Sequence, residues 1–171
     1  MQGWQSFYEM IGGAAATLLG LLFVSVSMNA EIILGQRASA VPAACGAAFQ
    51  NYLAVLVVGL MVCLPGNGHQ VLGYTLLSVS AVWSAWALYR LISTLRAPII
   101  GDTRRNVLRR YLATITGFGL IAYAAFDLAV DTRAQTTIYI AVGSMLLLVS
   151  ATIASWELLT KVAQDKYRAQ K

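Results

Sequence analysis

Residues 7–34 form the stretch that decides the fold, FYEMIGGAAATLLGLLFVSVSMNAEIIL. Between Met10 and Met28 this stretch contains no charged residue and no proline, and apart from Phe23 its side chains are small or aliphatic. About 20 such residues cross the ~30 Å hydrocarbon core of a bilayer, because an α-helix rises about 1.5 Å per residue. The stretch therefore predicts a membrane-spanning helix.

The two faces of this predicted helix differ in side-chain size. One narrow stripe consists of Glu9, Gly12, Gly13, Ala16, Gly20, Ser27 and Glu31. The opposite side carries the bulky aliphatic residues Ile11, Leu18, Leu22 and Val26. Because small residues let helices approach closely in lipid, we expect the small stripe to pack against another helix, which crosses at Gly20. We expect the bulky face to contact lipid.

The composition of the whole chain agrees with a membrane protein. Of its 171 residues, 58% are hydrophobic and only 11% are charged, whereas soluble domains carry about 25% charged residues. Four further apolar stretches follow the first, at about 43–64, 71–92, 111–130 and 136–159. The sequence therefore predicts an all-α fold, a polytopic transmembrane helix bundle with five spans in a single domain, residues 1–171.

The links between these spans set further expectations. The turn signal PGNG at residues 65–68 makes the second connection short, which predicts that spans two and three are antiparallel neighbours. Residues 93–110 form a basic loop, whose last part enters the fourth span as a short helix capped by Asp102 or Thr103. Residues 160–171 form a polar tail.

The distribution of basic residues predicts the orientation. With the N-terminus outside and five spans, eleven of the 12 lysines and arginines lie inside and only Arg133 lies outside. The positive-inside rule therefore places the N-terminus outside and the C-terminus, the basic loop and the tail in the cytoplasm. The charges lie at helix ends, so we expect no nucleic-acid partner. The first nine residues lack lysine and arginine, so we expect no cleavable signal peptide.

Four carboxylates near span ends are candidates for an ion or proton site, since desolvating a charge in a membrane is expensive. Glu9 and Asp127 lie near the outer surface, and Glu31 and Glu157 lie near the inner one. The alternative is solvation or helix–helix hydrogen bonding, because Glu9 and Asp127 are within about two turns of a predicted helix end.

Three other features of the spans predict contacts. The amides of Gln50 and Asn51 should face other helices, because an unpaired amide is costly at membrane depth. Trp86 and Arg90 are one helical turn apart, so the guanidinium can lie over the indole or extend to the membrane surface, and we expect this aromatic cluster to anchor the helix at the membrane–water interface. Arg104, Arg105, Arg109 and Arg110 form a basic cluster that favours anionic lipid in the cytoplasmic leaflet.

No pattern of catalytic residues appears in the chain. It lacks a nucleophile elbow, a phosphate-binding loop and a CxxC pair, and its single histidine, His69, falls in a predicted turn. A metal site would need several clustered nitrogen, oxygen or sulfur ligands. We therefore expect no enzymatic activity, no cofactor and no metal.

The run GGAAATLLGLLFVSVSMN at residues 12–29 resembles the opening helix of small polytopic proteins of the bacterial inner membrane. This resemblance covers the first helix and the general layout of spans, and it implies a bacterial inner-membrane setting without an activity. Small-residue stripes also occur on spans two and five, the latter through Gly143. The sequence thus favours a non-enzymatic protein that acts by helix packing, as a homo-oligomer or an accessory subunit of a larger membrane complex. The alternative function is a small cation channel or transporter with acidic mouths.

Overall fold

The computed structural model of the chain describes residues 2–30, 41–64, 68–96, 103–130 and 136–169. A short 3-10 helix, Gln2–Trp4, leads into α1 (Gln5–Met28), and α2 (Val41–Cys63), α3 (His69–Arg96), α4 (Thr103–Val130) and α5 (Thr136–Ala169) follow. The described part of the chain is all-helical, and these five helices are long and apolar enough to cross a membrane. The number and approximate positions of the long helices agree with the sequence prediction, but α1 ends at Met28, and residues 31–34 of the predicted first span lie outside the described residues.

α3 continues four residues beyond its apolar stretch, to Arg96, and two helices extend further. α4 begins at Thr103, the predicted start, so residues 103–110 of the predicted basic loop are helical. α5 continues through residues 160–169, which the sequence predicts as a polar tail. Neither segment contains proline or glycine, so the backbone continues its helical hydrogen bonds although the side chains become polar.

The order in which the helices pack differs from their order in the chain. α1 packs on α2, α2 on α5, α5 on α4, and α4 on α3. α2 and α3, which the sequence predicts to be antiparallel neighbours, do contact each other, but only sparsely. α3 packs instead on α4, where a Cβ at Gly73 would lie 3.0 Å from the carbonyl oxygen of Ala125.

Glycines permit the closest approaches between helices. A Cβ added to Gly59 of α2 would lie 3.1 Å from the carbonyl oxygen of Tyr8 and 3.2 Å from the Cα of Gly12 in α1. A Cβ added to Gly143 of α5 would lie 2.8 Å from the carbonyl oxygen of Gly117 in α4. At both contacts the backbones meet without an intervening side chain, which is how helices gain packing energy in an apolar environment.

The alternation of helix directions gives the bundle two ends. At the Trp4 end, where α1, α3 and α5 begin, the hydroxyl of Tyr8 donates a hydrogen bond of 2.9 Å to the carbonyl oxygen of Thr137. At the opposite end, which we name the Arg90 end, α2 and α4 begin and the guanidinium of Arg90 packs against Gly46.

Candidate functional site

The face of α1 that carries small residues is exposed. Only 17% of the apolar segment of α1 is buried, against 44% in α2 and 50% in α5. Its buried residues are Tyr8, Ile11, Ala15 and Leu22. Since Ile11 and Leu22 belong to the bulky face, the prediction that this face contacts lipid was wrong. α1 packs on its own bundle through its large side chains.

α2 supplies the small residues at this interface, which explains the reversal. Ala48 and Ala54 of α2 are fully buried, and Gly59 lies against Gly12. A surface of small residues on α2 accepts large side chains from α1, because a packed interface needs complementary volumes rather than small residues on both sides. Apart from Gly12, the small residues Gly13, Ala16 and Gly20 of α1 therefore do not take part in this interface.

The members of the small stripe lie in two different environments. Gly12 is half-buried against α2, whereas Gly13, Ala16 and Gly20 are exposed. No described atom outside its own helix lies within 4 Å of a Cβ built on Gly13 or on Gly20. Within the described chain, no helix crosses at Gly20. A helix that crosses there would come from outside the described residues, and a second chain can supply it.

A shallow groove continues this face toward α2. It has a volume of about 320 Å³, and it lies between α1 and α2 at the Trp4 end. Its lining includes Glu9, Gly13 and Ala16 of α1 and Leu60 and Cys63 of α2. The exposed small residues thus form one side of a cleft into which side chains of a neighbouring helix can insert.

The candidate carboxylates are divided between the two ends of the bundle. Glu9 is exposed and accepts a hydrogen bond of 3.1 Å from Nε2 of Gln5. Asp127 is half-buried and accepts a hydrogen bond of 2.7 Å from the hydroxyl of Thr136 at the start of α5. Both lie at the Trp4 end. Glu157 is half-buried toward the Arg90 end, and Glu31 lies outside the described residues.

Metal-binding geometry is not found in the described ranges. No group of three histidine, cysteine, aspartate or glutamate residues comes together there. Cys45 and Cys63 are free thiols on α2. His69 is the first residue of α3, and Arg104, Arg105, Arg109 and Arg110 lie in the first turns of α4. The side chains of His69 and of these four arginines lie outside what the structure describes.

A polar cluster joins α2, α4 and α5 inside the bundle. Nδ2 of Asn51 donates to Oγ1 of Thr114 at 2.9 Å and lies 3.5 Å from Oγ of Ser150. The two hydroxyl oxygens are themselves 3.3 Å apart. Nε2 of Gln50 donates to the carbonyl oxygen of Trp83 in α3 at 3.4 Å. The prediction that both amides face other helices is confirmed.

A second and larger groove lies at the Arg90 end, between α1, α2 and α3. Its volume is about 490 Å³, and its apolar walls include Phe23 of α1, Leu53 of α2 and Val82 of α3. Cζ of Arg90 lies 5.5 Å from the centroid of the Trp86 ring, so of the two positions that the sequence allows for this side chain the structure has the one over the indole. The groove was not predicted, because it exists only where α2 and α3 separate.

Comparisons with protein-family models, with curated proteins and with solved structures found no match to this chain. The arrangement offers three features with functional potential: the exposed small-residue face of α1, the carboxylates Glu9 and Asp127 at one end, and the groove beside Arg90.

Proposed function

We propose that the protein is a non-enzymatic, multi-pass protein of the bacterial inner membrane that acts by helix packing. It associates laterally through α1 with a second copy of itself, as a homo-oligomer, or with another membrane subunit. The five span-length helices support a membrane setting. The bias of basic residues supports an outside N-terminus and a cytoplasmic C-terminus. The resemblance of residues 12–29 supports the bacterial inner membrane.

One observation carries this proposal: the exposed face formed by Gly13, Ala16 and Gly20. Lipid tails are as apolar as leucine side chains, so helices in a bilayer associate through close packing rather than through the hydrophobic effect. A face of small residues on the helix that is least buried in its own bundle gives a partner helix the closest approach. The neighbouring cleft at Leu60 accepts side chains of that partner.

The substitution Gly20→Leu tests the proposal, and Gly119→Leu is its matched control. Both glycines are exposed, and no described atom beyond the local helix lies within 4 Å of a Cβ at either position. Both variants should therefore melt with the parent in the same detergent. Only Gly20→Leu should weaken association, by about tenfold or more, because its side chain holds the partner helix away.

Fluorescence energy transfer between labelled copies in bilayers measures self-association, and the mass of the particle extracted in mild detergent reveals a different partner subunit. A parent protein that is monomeric in both settings would contradict the proposal. Equal losses of association in Gly20→Leu and Gly119→Leu would contradict the assignment of the face.

The alternative function, a small cation channel or transporter, is favoured by the position of Glu9 and Asp127 at the same end of the bundle. If a pore uses them as an acidic mouth, Glu9→Gln and Asp127→Asn should reduce cation flux into liposomes. The packing proposal expects no flux from the parent protein.

A further inference from the structure

We propose that the groove at the Arg90 end binds one anionic phospholipid, with an acyl chain between α2 and α3 and the headgroup phosphate at Arg90. This site differs in residues and position from the α1 face and from the arginines of α4. It therefore does not depend on the proposed lateral association.

The apolar part of the groove fits an acyl chain. Its walls include Phe23 and Val26 of α1, Phe49 and Leu53 of α2 and Val82 of α3. The volume of about 490 Å³ falls in the range of small-molecule sites, about 300–1,000 Å³. Three turns of a helix about 10 Å wide would occupy roughly 1,000 Å³ or more. A chain of methylene groups therefore fits the groove better than a transmembrane helix does.

The groove is open because α2 and α3 do not pack closely beside it. α2 and α3 make only sparse contacts, and the bond from Gln50 to the carbonyl oxygen of Trp83 ties them together at one level. Gly46 provides no side chain on the α2 wall beside Arg90, where a Cβ would lie 3.3 Å from Cζ of that residue. The small residue keeps the guanidinium at the mouth of the groove.

The polar end of the groove fits a phosphate. Arg90 is the charged residue of the groove lining, and its position is held by Gly46 on one side and by the Trp86 ring on the other. A guanidinium has five N–H donors, so it can bind phosphate while it keeps contacts with the protein. Arginine–phosphate hydrogen bonds are charge-assisted and can be bidentate.

The surroundings of Arg90 match the level of lipid headgroups. Trp86 and Tyr89 are 51% and 67% exposed, and their ring centroids are 6.1 Å apart. Exposed tryptophan and tyrosine are typical of the membrane–water interface. Arg96 ends α3, and Arg104, Arg105, Arg109 and Arg110 lie in the first turns of α4 at the same end, which makes this end complementary to an anionic leaflet.

Native mass spectrometry of the full-length protein tests the site. The protein is mixed with equal amounts of phosphatidylglycerol and phosphatidylcholine that carry the same acyl chains. The parent should retain one phosphatidylglycerol per chain in preference to phosphatidylcholine. Arg90→Gln should reduce this preference about tenfold, since it removes charge-assisted hydrogen bonds to the phosphate.

The substitution Val82→Trp fills the groove without touching Arg90, and Val149→Trp is its matched control. Val82 and Val149 are 66% and 56% exposed, but only Val82 lines the groove. Val82→Trp should abolish retention of the bound lipid, whereas Val149→Trp should retain it as the parent does. Glycerol phosphate, which lacks acyl chains, should not displace the lipid.

Several results would overturn the proposal: parent-like retention in Val82→Trp, an unchanged preference in Arg90→Gln, or displacement by glycerol phosphate. A change of oligomeric state in Val82→Trp with unchanged lipid retention would assign the groove to a second copy instead. If Arg90→Gln lowers the melting temperature of the lipid-free protein, its loss of lipid preference does not test the site. Val82→Trp then tests it, because Val82 is exposed and its replacement should leave the fold intact.

Discussion

At the scale of single residues, the contact between α4 and α5 has no room for a side chain at Gly143. A Cβ there would lie 2.7 Å from Cγ1 of Ile121 and 2.8 Å from the carbonyl oxygen of Gly117. The second of these atoms belongs to the backbone and cannot rotate away. We therefore expect Gly143→Ala to lower the free energy of unfolding by about 1–3 kcal/mol through overpacking.

Gly119→Ala provides the comparison for this prediction. Gly119 also lies in α4, but a Cβ there has no described atom within 4 Å beyond its local helix. Alanine favours a helix over glycine by about 0.5–1 kcal/mol, so this variant should be as stable as the parent or more stable. Thermal unfolding in one detergent compares the two. Equal stability of both variants would show that α4 and α5 are further apart than described.

The sequence predicts some of these residues but not their partners. Gln50 and Asn51 are recognisable because amides in an apolar stretch need hydrogen bonds, and the structure pairs both with other helices. Gly59 and Gly117 are not recognisable in the same way. A glycine in a span indicates a close approach only when the facing helix is known, and helical periodicity does not identify that helix.

At the scale of elements, α1 shows why a small-residue stripe does not by itself locate the interface within a bundle. Leu22 of α1 is 5% exposed and packs in a cluster with Tyr52 of α2 and Leu158 of α5. In lipid both large and small side chains can lie at an interface, because the bilayer does not discriminate against exposed leucine. The small face of α1 can be recognised as the exposed face only when the structure shows that the bundle buries the other one.

This assignment of the faces predicts different effects for two adjacent leucines. Leu22→Ala should destabilise the protein by about 2 kcal/mol or more, since it leaves a cavity between α1, α2 and α5. Leu21, which is 62% exposed, is the matched control, and Leu21→Ala should change the melting temperature little. If Leu21→Ala lowered the melting temperature more than Leu22→Ala does, the assignment of the buried and exposed faces of α1 would be reversed.

At the scale of the whole molecule, the number of helices was predictable and their arrangement was not. Length and hydropathy identify each span from its own residues. The packing order instead depends on contacts such as that of Gly73 with Ala125. The short connection at residues 65–68 predicts that α2 and α3 are antiparallel neighbours, but not that their contacts are sparse or that Trp83 and Trp86 line a groove beside them.

The packing order divides the molecule into α1–α2 and α3–α4–α5, which meet mainly through α2 and α5. We therefore expect the two parts to reassemble when they are expressed as separate chains divided between Leu64 and Gly68. Copurification through a tag on one part measures this. Ala151 is fully buried in the cluster with Tyr52, so Ala151→Leu should prevent copurification.

The exposed position Val149 provides the control for this experiment, and Val149→Leu should copurify as the parent does. Failure of the parent halves to copurify would mean that the link between α2 and α3 is required for assembly. Copurification of the Ala151→Leu halves would mean that they meet elsewhere.

The hydrogen bonds of Asn51 also have a consequence for biosynthesis. Its partners, Thr114 and Ser150, lie 63 and 99 residues later in the chain. At a synthesis rate of about 5–20 residues per second, α2 waits roughly 5–20 s before α5 has been translated. Until Thr114 has been translated the amide has none of its final partners, and until Ser150 has been translated it lacks one of them. In that time the nascent chain presents a polar group that an insertase or a membrane protease can recognise. The ribosome therefore produces this protein through an intermediate whose lifetime is set by the distance between α2 and α5 in the sequence.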